Sequence, residues 1–204
     1  LNYIKYFKNN SHINKSAKML DPYPRLIIVK GLGIFSTGKN FNDAKIAMDV
    51  GLNSMKVKLN AAKYGVFKSI SEKEIFRMEY WPLELSKLKK SSKKLVGNIT
   101  VVTGGAGVLG YATAKRFLNE GSEVILLDIK DKKNIDCDVK DMTYYKCDVT
   151  KENEVAQVFK KISEKFGGVD ILVSNAGIAI HSSLEKLSRK DLNKSFDINL
   201  FGHH

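Results

Sequence analysis

The sequence is poor in proline, cysteine and arginine, and it has no long hydrophobic run. Three prolines and 15 glycines in 204 residues exclude a collagen-like or low-complexity chain. No apolar run approaches the roughly 20 residues that a membrane-spanning helix needs, so we expect no membrane partner. The two cysteines, Cys137 and Cys147, are too few for a disulfide framework. With no recognisable signal peptide at the start, they favour a cytoplasmic location.

The net charge of +12 comes from lysine and lies in one half of the chain. Residues 1–95 carry 19 basic and 7 acidic residues, whereas residues 96–204 carry 15 of each. Only four basic residues are arginines, the side chain best suited to bidentate contacts with phosphates and bases. We therefore expect a lysine-rich surface and no nucleic-acid partner. A polyanion-binding module that uses the basic N-terminal segment stays open as an alternative.

A cluster of lysines and serines between residues 87 and 94 is typical of a linker. We predict an N-terminal domain over 1–90, a linker over 91–97 and a C-terminal domain over 98–204.

The C-terminal segment alternates short apolar runs with amphipathic stretches. The runs predict strands at 99–102, 123–128, 144–148 and 169–174, with helices at 111–119 and 155–166. This alternation predicts an α/β fold, a doubly wound parallel sheet with helices on both faces. Ligands of such sheets bind at the carboxyl ends of the strands.

A glycine-rich turn lies at that edge. Gly105, Gly107 and Gly110 spell G-x-G-x-x-G between a predicted strand and a predicted helix, a context that favours pyrophosphate binding by backbone amides. Asp128 ends the next strand, where a carboxylate accepts hydrogen bonds from ribose hydroxyls and repels a 2′-phosphate. We therefore expect NAD rather than NADP, a preference that Lys130 weakens. The alternatives are that the glycines form only a tight turn that binds no phosphate, and that Asp128 is a solvated carboxylate that binds no ligand.

Four features in order make residues 96–204 resemble the N-terminal half of a short-chain dehydrogenase/reductase. They are the turn Thr103-Gly-Gly-Ala-Gly-Val-Leu-Gly110, Asp128, Cys147-Asp-Val149 and Ser174-Asn-Ala-Gly177. The resemblance implies a Rossmann-type sheet, of which only part is present, and an NAD cofactor. The cofactor-binding residues that we predict are Gly104, Gly107, Val108, Leu109, Gly110, Asp128, Ile129, Asp148, Val149, Asn175, Ala176 and Gly177.

The segment Ser195-Phe-Asp-Ile-Asn-Leu-Phe-Gly202 resembles the family helix that follows strand four. The resemblance places Asn199 at the position of the active-site Asn, which supports a water near the catalytic Lys. Val108 departs from the compact branch of the family, which has glycine there. The family's catalytic Ser and Tyr-x-x-x-Lys do not follow Asn199 in these residues, so we expect the parent protein to be an NAD-dependent oxidoreductase and this chain to be inactive alone.

The first segment predicts strands at 26–30 and 33–36, a long helix over 42–64 and a short helix that a capping box, Ser71-Glu-Lys-Glu74, opens. It resembles the C-terminal part of a class II aldolase/adducin-type α/β domain. The whole arrangement resembles bifunctional aldolase/dehydrogenases of the rhamnulose-1-phosphate aldolase type. The resemblance implies a sugar-catabolic enzyme that joins a ketose-phosphate aldolase to an NAD-dependent oxidoreductase acting on an alcohol or aldehyde such as lactaldehyde. A stand-alone short-chain oxidoreductase with a non-catalytic N-terminal extension is the alternative.

Class II aldolases hold zinc with histidines, one of them in an Asn-His-Gly turn. The corresponding turn here reads Gly31-Leu-Gly33, and leucine cannot ligate zinc. The histidines lack ligand spacing, and we interpret the pair His203-His204 as a chance feature of the sequence rather than a site. We predict no metal in this chain, with zinc at most in an upstream aldolase part. The expected partners are a nicotinamide dinucleotide and a small carbohydrate-derived substrate, in a homo-oligomer.

Overall fold

The computed structural model describes residues 2–86 and 93–203, which divide at residue 93 into two compact units. The first two positions of the predicted linker, 91 and 92, lie outside the described residues. The rest of it, residues 93–97, belongs to the second unit, where the Leu95 N–H donates to the Glu120 carbonyl at 3.0 Å. The domain limits at 90 and 98 stay predictions.

The first unit contains the hairpin and the two helices that the sequence predicts, and its described residues also form helices at Asn2–Asn10 and Pro82–Ser86 that were not predicted from the sequence. Strands β1 (Leu26–Val29) and β2 (Gly33–Ser36) pair antiparallel, with Leu26 opposite Ser36. The helices of this unit are α1 (Asn2–Asn10), α2 (Phe41–Tyr64), α3 (Glu72–Glu79) and α4 (Pro82–Ser86), with a 3₁₀ turn at Ser11–Ile13.

Side-chain caps set the starts of the two central helices of this unit. The Asn40 side chain accepts from the Asp43 N–H at 2.8 Å at the start of α2. Ser71 accepts from the Glu74 N–H at 3.3 Å at the start of α3, which is the serine half of the predicted capping box, whereas the Glu74 carboxylate pairs with Arg77. Each cap satisfies a helix N–H that has no partner within its own helix.

Aromatic rings from α1, from α3 and from Tyr80, the residue after α3, pack together in the first unit. Phe76 and Tyr80 are fully buried and stack with ring centroids 4.4 Å apart. The Tyr3 hydroxyl donates to Glu79 Oε1 at 2.7 Å and shares a hydrogen bond with the Tyr80 hydroxyl. Burial, reinforced by these hydrogen bonds, raises the pKa of Tyr3 far above its usual range.

The second unit is a four-stranded parallel sheet in the order β5-β4-β3-β6. Its strands are β3 (Ile99–Thr103), β4 (Glu123–Asp128), β5 (Thr143–Lys146) and β6 (Ile171–Val173). Its helices are α5 (Val108–Asn119), α6 (Glu152–Phe166) and α7 (Arg189–Asn199), with 3₁₀ turns at Lys132–Asn134, Leu184–Lys186 and Phe201–His203.

The two faces of the sheet bury different helices, as a doubly wound sheet requires. One face packs β3 and β4 against Val158 and Ile162 of α6. The other face packs the same two strands against Ala114 of α5. The predicted α/β fold with a parallel, Rossmann-type sheet is therefore confirmed. In the described residues, no helix is long and apolar enough to cross a membrane.

The strand order places an opening at one edge of the sheet. The chain runs outward from β3 through β4 to β5 and then returns to pair β6 on the other side of β3. The loops that follow β3 and β6 therefore diverge, which is the switch point where open α/β sheets bind ligands. The third strand, predicted at 144–148, ends at Lys146, so Cys147 and Asp148 lie in the loop at this edge.

Candidate functional site

The glycine-rich turn connects β3 to α5 in a conformation that requires glycine. Gly104 has φ +62°, a left-handed backbone that residues with a Cβ rarely adopt. A Cβ on Gly110 would collide with the Gly104 carbonyl and lie 2.8 Å from Asn175 Nδ2. The turn is therefore packed directly against the loop after β6.

Helix α5 begins at Val108 with Gly107 as its N-cap residue. Because glycine has no side chain with which to cap, the first-turn amides of Val108, Leu109 and Gly110 lack an acceptor from that position. The side chains of Val108 and Leu109 are 88% and 76% exposed. Open amides at a helix N-terminus suit a phosphate group, so this turn fits a pyrophosphate.

Asp128 ends β4 and faces the turn. Its Oδ2 accepts from the Ala106 N–H at 3.0 Å, and its Oδ1 accepts from the Lys130 N–H at 3.2 Å. A carboxylate has further lone pairs, so both oxygens can still accept hydrogen bonds from a ligand. Burial, and then the Asp128 charge, raise the pKa of Tyr144 to about 12, and its hydroxyl donates to the Lys130 carbonyl at 2.7 Å. Ile129, the next residue after Asp128, is 61% exposed.

The loop after β6 is bound to the end of β3. Thr103 Oγ1 accepts from the N–H groups of Asn175 and Ala176 at 2.9 and 3.0 Å. The Asn175 side-chain amide donates to the Thr103 carbonyl at 2.9 Å. Thr103 is buried and was not among the predicted site residues. Its position, a hydroxyl at the last residue of a strand just before the glycines, is the signal that could have found it.

Asp148 and Val149 lie in the loop after β5. Asp148 Oδ1 accepts from the Thr150 N–H at 3.1 Å and from its hydroxyl at 2.7 Å, which closes a local turn. The Asp148 N–H donates to Glu154 Oε2 at 3.0 Å. That backbone hydrogen bond, and then Lys151, hold the pKa of Glu154 below its usual value. The side chain of Glu154 thus fixes the backbone that leads to Val149.

Asn199, the last residue of α7, binds the backbone beyond the loop after β6. Its Oδ1 accepts from the Ile178 N–H and its Nδ2 donates to the Ile178 carbonyl, both at 2.8 Å. A Cβ on Gly177 would lie 3.3 Å from the same Oδ1. The structure thus brings Asn199 to the predicted Asn175–Gly177 segment.

His203 is the second site residue that sequence reasoning missed. Its ring nitrogens lie within hydrogen-bond distance of Ser174 Oγ and the Ala176 carbonyl, so it contacts the predicted cofactor loop. Within residues 2–86 and 93–203, no group of three or more His, Cys, Asp or Glu side chains is placed to hold a metal ion. Cys137 and Cys147 are free thiols, and burial raises the pKa of both.

A parallel sheet, a glycine turn at a helix N-terminus and a carboxylate at the end of the next strand together define a Rossmann-type dinucleotide-binding unit. Residues 98–204 match the short chain dehydrogenase family. The chain belongs to this family. Residues 1–88 match the second domain of class II aldolases, so the chain joins an aldolase-type segment to a dehydrogenase segment in the order that the sequence resemblance predicted.

One similar protein matches nearly the whole chain, and others match about half of it. The chain is 32% identical over 206 residues to the uncharacterized oxidoreductase YuxG of Bacillus subtilis, covering 96% of this chain and 30% of that protein. It is 37% identical over 117 residues to short-chain dehydrogenase reductase 3b of Arabidopsis thaliana, covering 55% of this chain and 46% of that protein. Ligand-free aldohexose dehydrogenase of Thermoplasma acidophilum is 34% identical, with a TM-score of 0.47, over 52% of this chain and 40% of that one. The chain spans less than half the length of these relatives.

Proposed function

We propose that the chain is part of a bifunctional sugar-catabolic enzyme, in which an NAD-dependent oxidoreductase is fused to a ketose-phosphate aldolase. The similarity to one Bacillus subtilis oxidoreductase across 96% of the chain supports a single fused protein. The oxidoreductase would act on an alcohol or an aldehyde such as lactaldehyde, as the resemblance to bifunctional aldolase/dehydrogenases implies.

The observation that carries the oxidoreductase half is the convergence of three segments at one sheet edge. The turn at Gly104–Gly110 is joined to Asp128 by the Ala106 N–H and to the loop at Asn175–Gly177 by the Asn175 side-chain amide, which donates to the Gly104 carbonyl at 3.4 Å. In this proposal the first-turn amides of α5 bind the pyrophosphate, because they combine open N–H groups with the positive end of the helix dipole.

The position of Asp128 favours the binding of NAD over that of NADP. Its carboxylate lies at the end of β4, bonded to the turn, where it would accept hydrogen bonds from the adenosine ribose and repel a 2′-phosphate. Asp148 and Val149 would contact the adenine, and Ile129 would cover the ribose side. Asn175, Ala176 and Gly177 would line the path toward the nicotinamide.

The cofactor supplies the hydride chemistry, and the residues of this chain bind and orient it. Hydride transfer at a carbinol carbon also needs a group that moves the proton on its oxygen. Asn199 would support that proton transfer through the backbone that it holds at Ile178. We expect the 204 residues alone to bind dinucleotide without turnover.

The test is a calorimetric titration of the full polypeptide with NAD and with NADP. We expect tighter binding of NAD, and we expect Asp128→Asn, which keeps one acceptor oxygen but removes the charge, to narrow the ratio of the two affinities. Asp131→Asn is the matched control, because Asp131 is an exposed carboxylate three residues away that pairs with Lys146 at 3.1 Å. No binding of either dinucleotide would refute the oxidoreductase half, and an unchanged ratio in Asp128→Asn would refute the role of Asp128.

The aldolase half has a separate test. The match of residues 1–88 to the second domain of class II aldolases supports it. We expect the full polypeptide to cleave a ketose phosphate in a zinc-dependent manner, with zinc ligands from outside this chain. Cleavage that survives complete chelation of zinc would contradict this part of the proposal.

A further inference from the structure

The 3₁₀ turn that follows α7 holds an imidazole against the predicted cofactor loop. His203 Nδ1 lies 2.5 Å from Ser174 Oγ, and His203 Nε2 lies 3.0 Å from the Ala176 carbonyl oxygen. The two bonded groups flank Asn175, so one ring spans the segment that follows β6.

The partners of the ring decide where its proton lies. A carbonyl oxygen can only accept, so Nε2 must carry the hydrogen that is shared with Ala176. In the neutral ring, Nδ1 is then the acceptor, and the Ser174 hydroxyl donates to it. The structure therefore assigns the Nε2–H tautomer to His203.

Both backbone polar groups of Ala176, the N–H and the carbonyl, are hydrogen-bonded. Its N–H donates to Thr103 Oγ1 at 3.0 Å, from β3, and its carbonyl accepts from His203, from the turn after α7. The next residue, Gly177, gives the chain the freedom to rotate the peptide that carries this carbonyl. Without His203, the chain would still be held at the Ala176 N–H and at Ile178, but the Ala176 carbonyl between them would lose this hydrogen bond.

The same turn also contacts the loop after β5. A Cβ on Gly202 would lie 3.0 Å from Val149 Cγ2 and 3.2 Å from the Asp197 carbonyl oxygen, so the backbone of the turn approaches Val149 closely. The turn at Phe201–His203 thus touches both Val149 and the Ser174–Ala176 segment, on the two sides of the sheet opening.

We propose that His203 is a positioning residue of the dinucleotide site, which fixes the Ala176 peptide so that the loop after β6 is preformed for the cofactor. The inference rests on the proposed function, because it assumes that the loop lines a dinucleotide site. Preformed loops bind more tightly because less conformational entropy is lost on binding.

The experiment compares NAD affinity in the full polypeptide for wild type and three His203 variants, with the thermal midpoint of each as a check on folding. His203→Leu removes both bonds and is expected to weaken NAD binding by about fivefold, the effect of about one net hydrogen bond. His203→Gln places an amide N–H near the position of Nε2 and is expected to restore most of the affinity. His203→Asn, whose amide reaches only the position of Nδ1, is expected not to restore it.

His12→Leu is the matched control, since His12 is an exposed histidine of the first unit, and we expect it to leave NAD affinity unchanged. If the wild type binds NAD and His203→Leu binds it equally well, the inference is overturned but the proposed function stands. If the wild type does not bind NAD, the proposed function itself is overturned. Side-chain ¹⁵N shifts of His203 provide a readout without cofactor. At a pH well above the usual range of histidine, we expect the pattern of the Nε2–H tautomer, and an Nδ1–H tautomer would overturn the inference.

Discussion

Thr103→Val removes one hydroxyl oxygen and leaves two backbone donors without an acceptor. Thr103 is 7% exposed, and its Oγ1 accepts from both the Asn175 and the Ala176 N–H. Asn175 and Ala176 are only half-buried, so each unsatisfied N–H falls in the lower part of the usual penalty, about 1–2 kcal/mol. We therefore expect the variant to lose about 2–4 kcal/mol of unfolding free energy. Valine has nearly the shape of threonine, so little of this loss would come from packing. The same change should weaken NAD binding, because it releases the loop after β6.

Thr103→Ser is the control for this prediction. Serine keeps the acceptor oxygen and loses one methyl group, which costs about 1 kcal/mol when buried. Urea unfolding should be followed by far-ultraviolet circular dichroism, because the single tryptophan, Trp81, lies in the first unit and does not report on this sheet. Hydrogen exchange of peptides over 99–103 and 174–178 then locates the loss. The reasoning is refuted if the valine variant is as stable as the serine variant.

Three further changes test other parts of the chain. Gly110→Ala should abolish NAD binding in calorimetry, since its Cβ would lie 2.8 Å from Asn175 Nδ2; unchanged affinity would contradict the close packing of the turn. Tyr80→Phe should lower unfolding free energy by about 1–2 kcal/mol, because the Tyr80 hydroxyl accepts from the Leu20 N–H at 3.2 Å and would leave it unsatisfied; an unchanged urea midpoint would contradict this. Burial raises the pKa of Glu123, because the charged carboxylate is less well solvated in the folded protein than in the unfolded chain. Ionisation of this carboxyl therefore lowers the free energy of unfolding, and the loss occurs as the pH rises through the raised pKa. Glu123→Gln should therefore raise the thermal midpoint at pH 7, with a gain that shrinks as the pH falls through the raised pKa and is smallest below the usual pKa of a glutamate; a gain independent of pH would refute the assignment.

Local patterns predicted most of the sheet. Strand β4 is present at Glu123–Asp128 as predicted, because an apolar run that a carboxylate ends is recognisable in the sequence alone. Strand β5 is shifted: it pairs Thr143 with Ile125 and ends at Lys146, because its limits depend on register with β4 rather than on its own composition.

Only some of the site residues could likewise be predicted from the sequence. The glycines and Asp128 are recognisable because short sequence spacing fixes their geometry. Thr103 and His203 are not, because their partners are remote: Thr103 bonds residues 72 and 73 positions away, and His203 bonds residues 29 and 27 positions away. A hydrogen bond from a side chain to a distant backbone leaves no periodic trace in the sequence.

The bonds between the end of β3 and the loop after β6 also set the order in which the site can form. Strand β6 pairs with β3 in parallel, with Thr100 opposite Ile171, so this pairing closes a long stretch of chain and bears a large loop-closure entropy. The turn at Gly104–Gly110 can form with β3, α5 and β4, to which Ala106 is bonded through Asp128, but the Asn175–Gly177 loop is not in place until β6 docks. We therefore expect the cofactor site to be among the last parts of the second unit to assemble during folding and among the first to open in local unfolding, which makes β6 the strand whose hydrogen exchange a bound dinucleotide slows most.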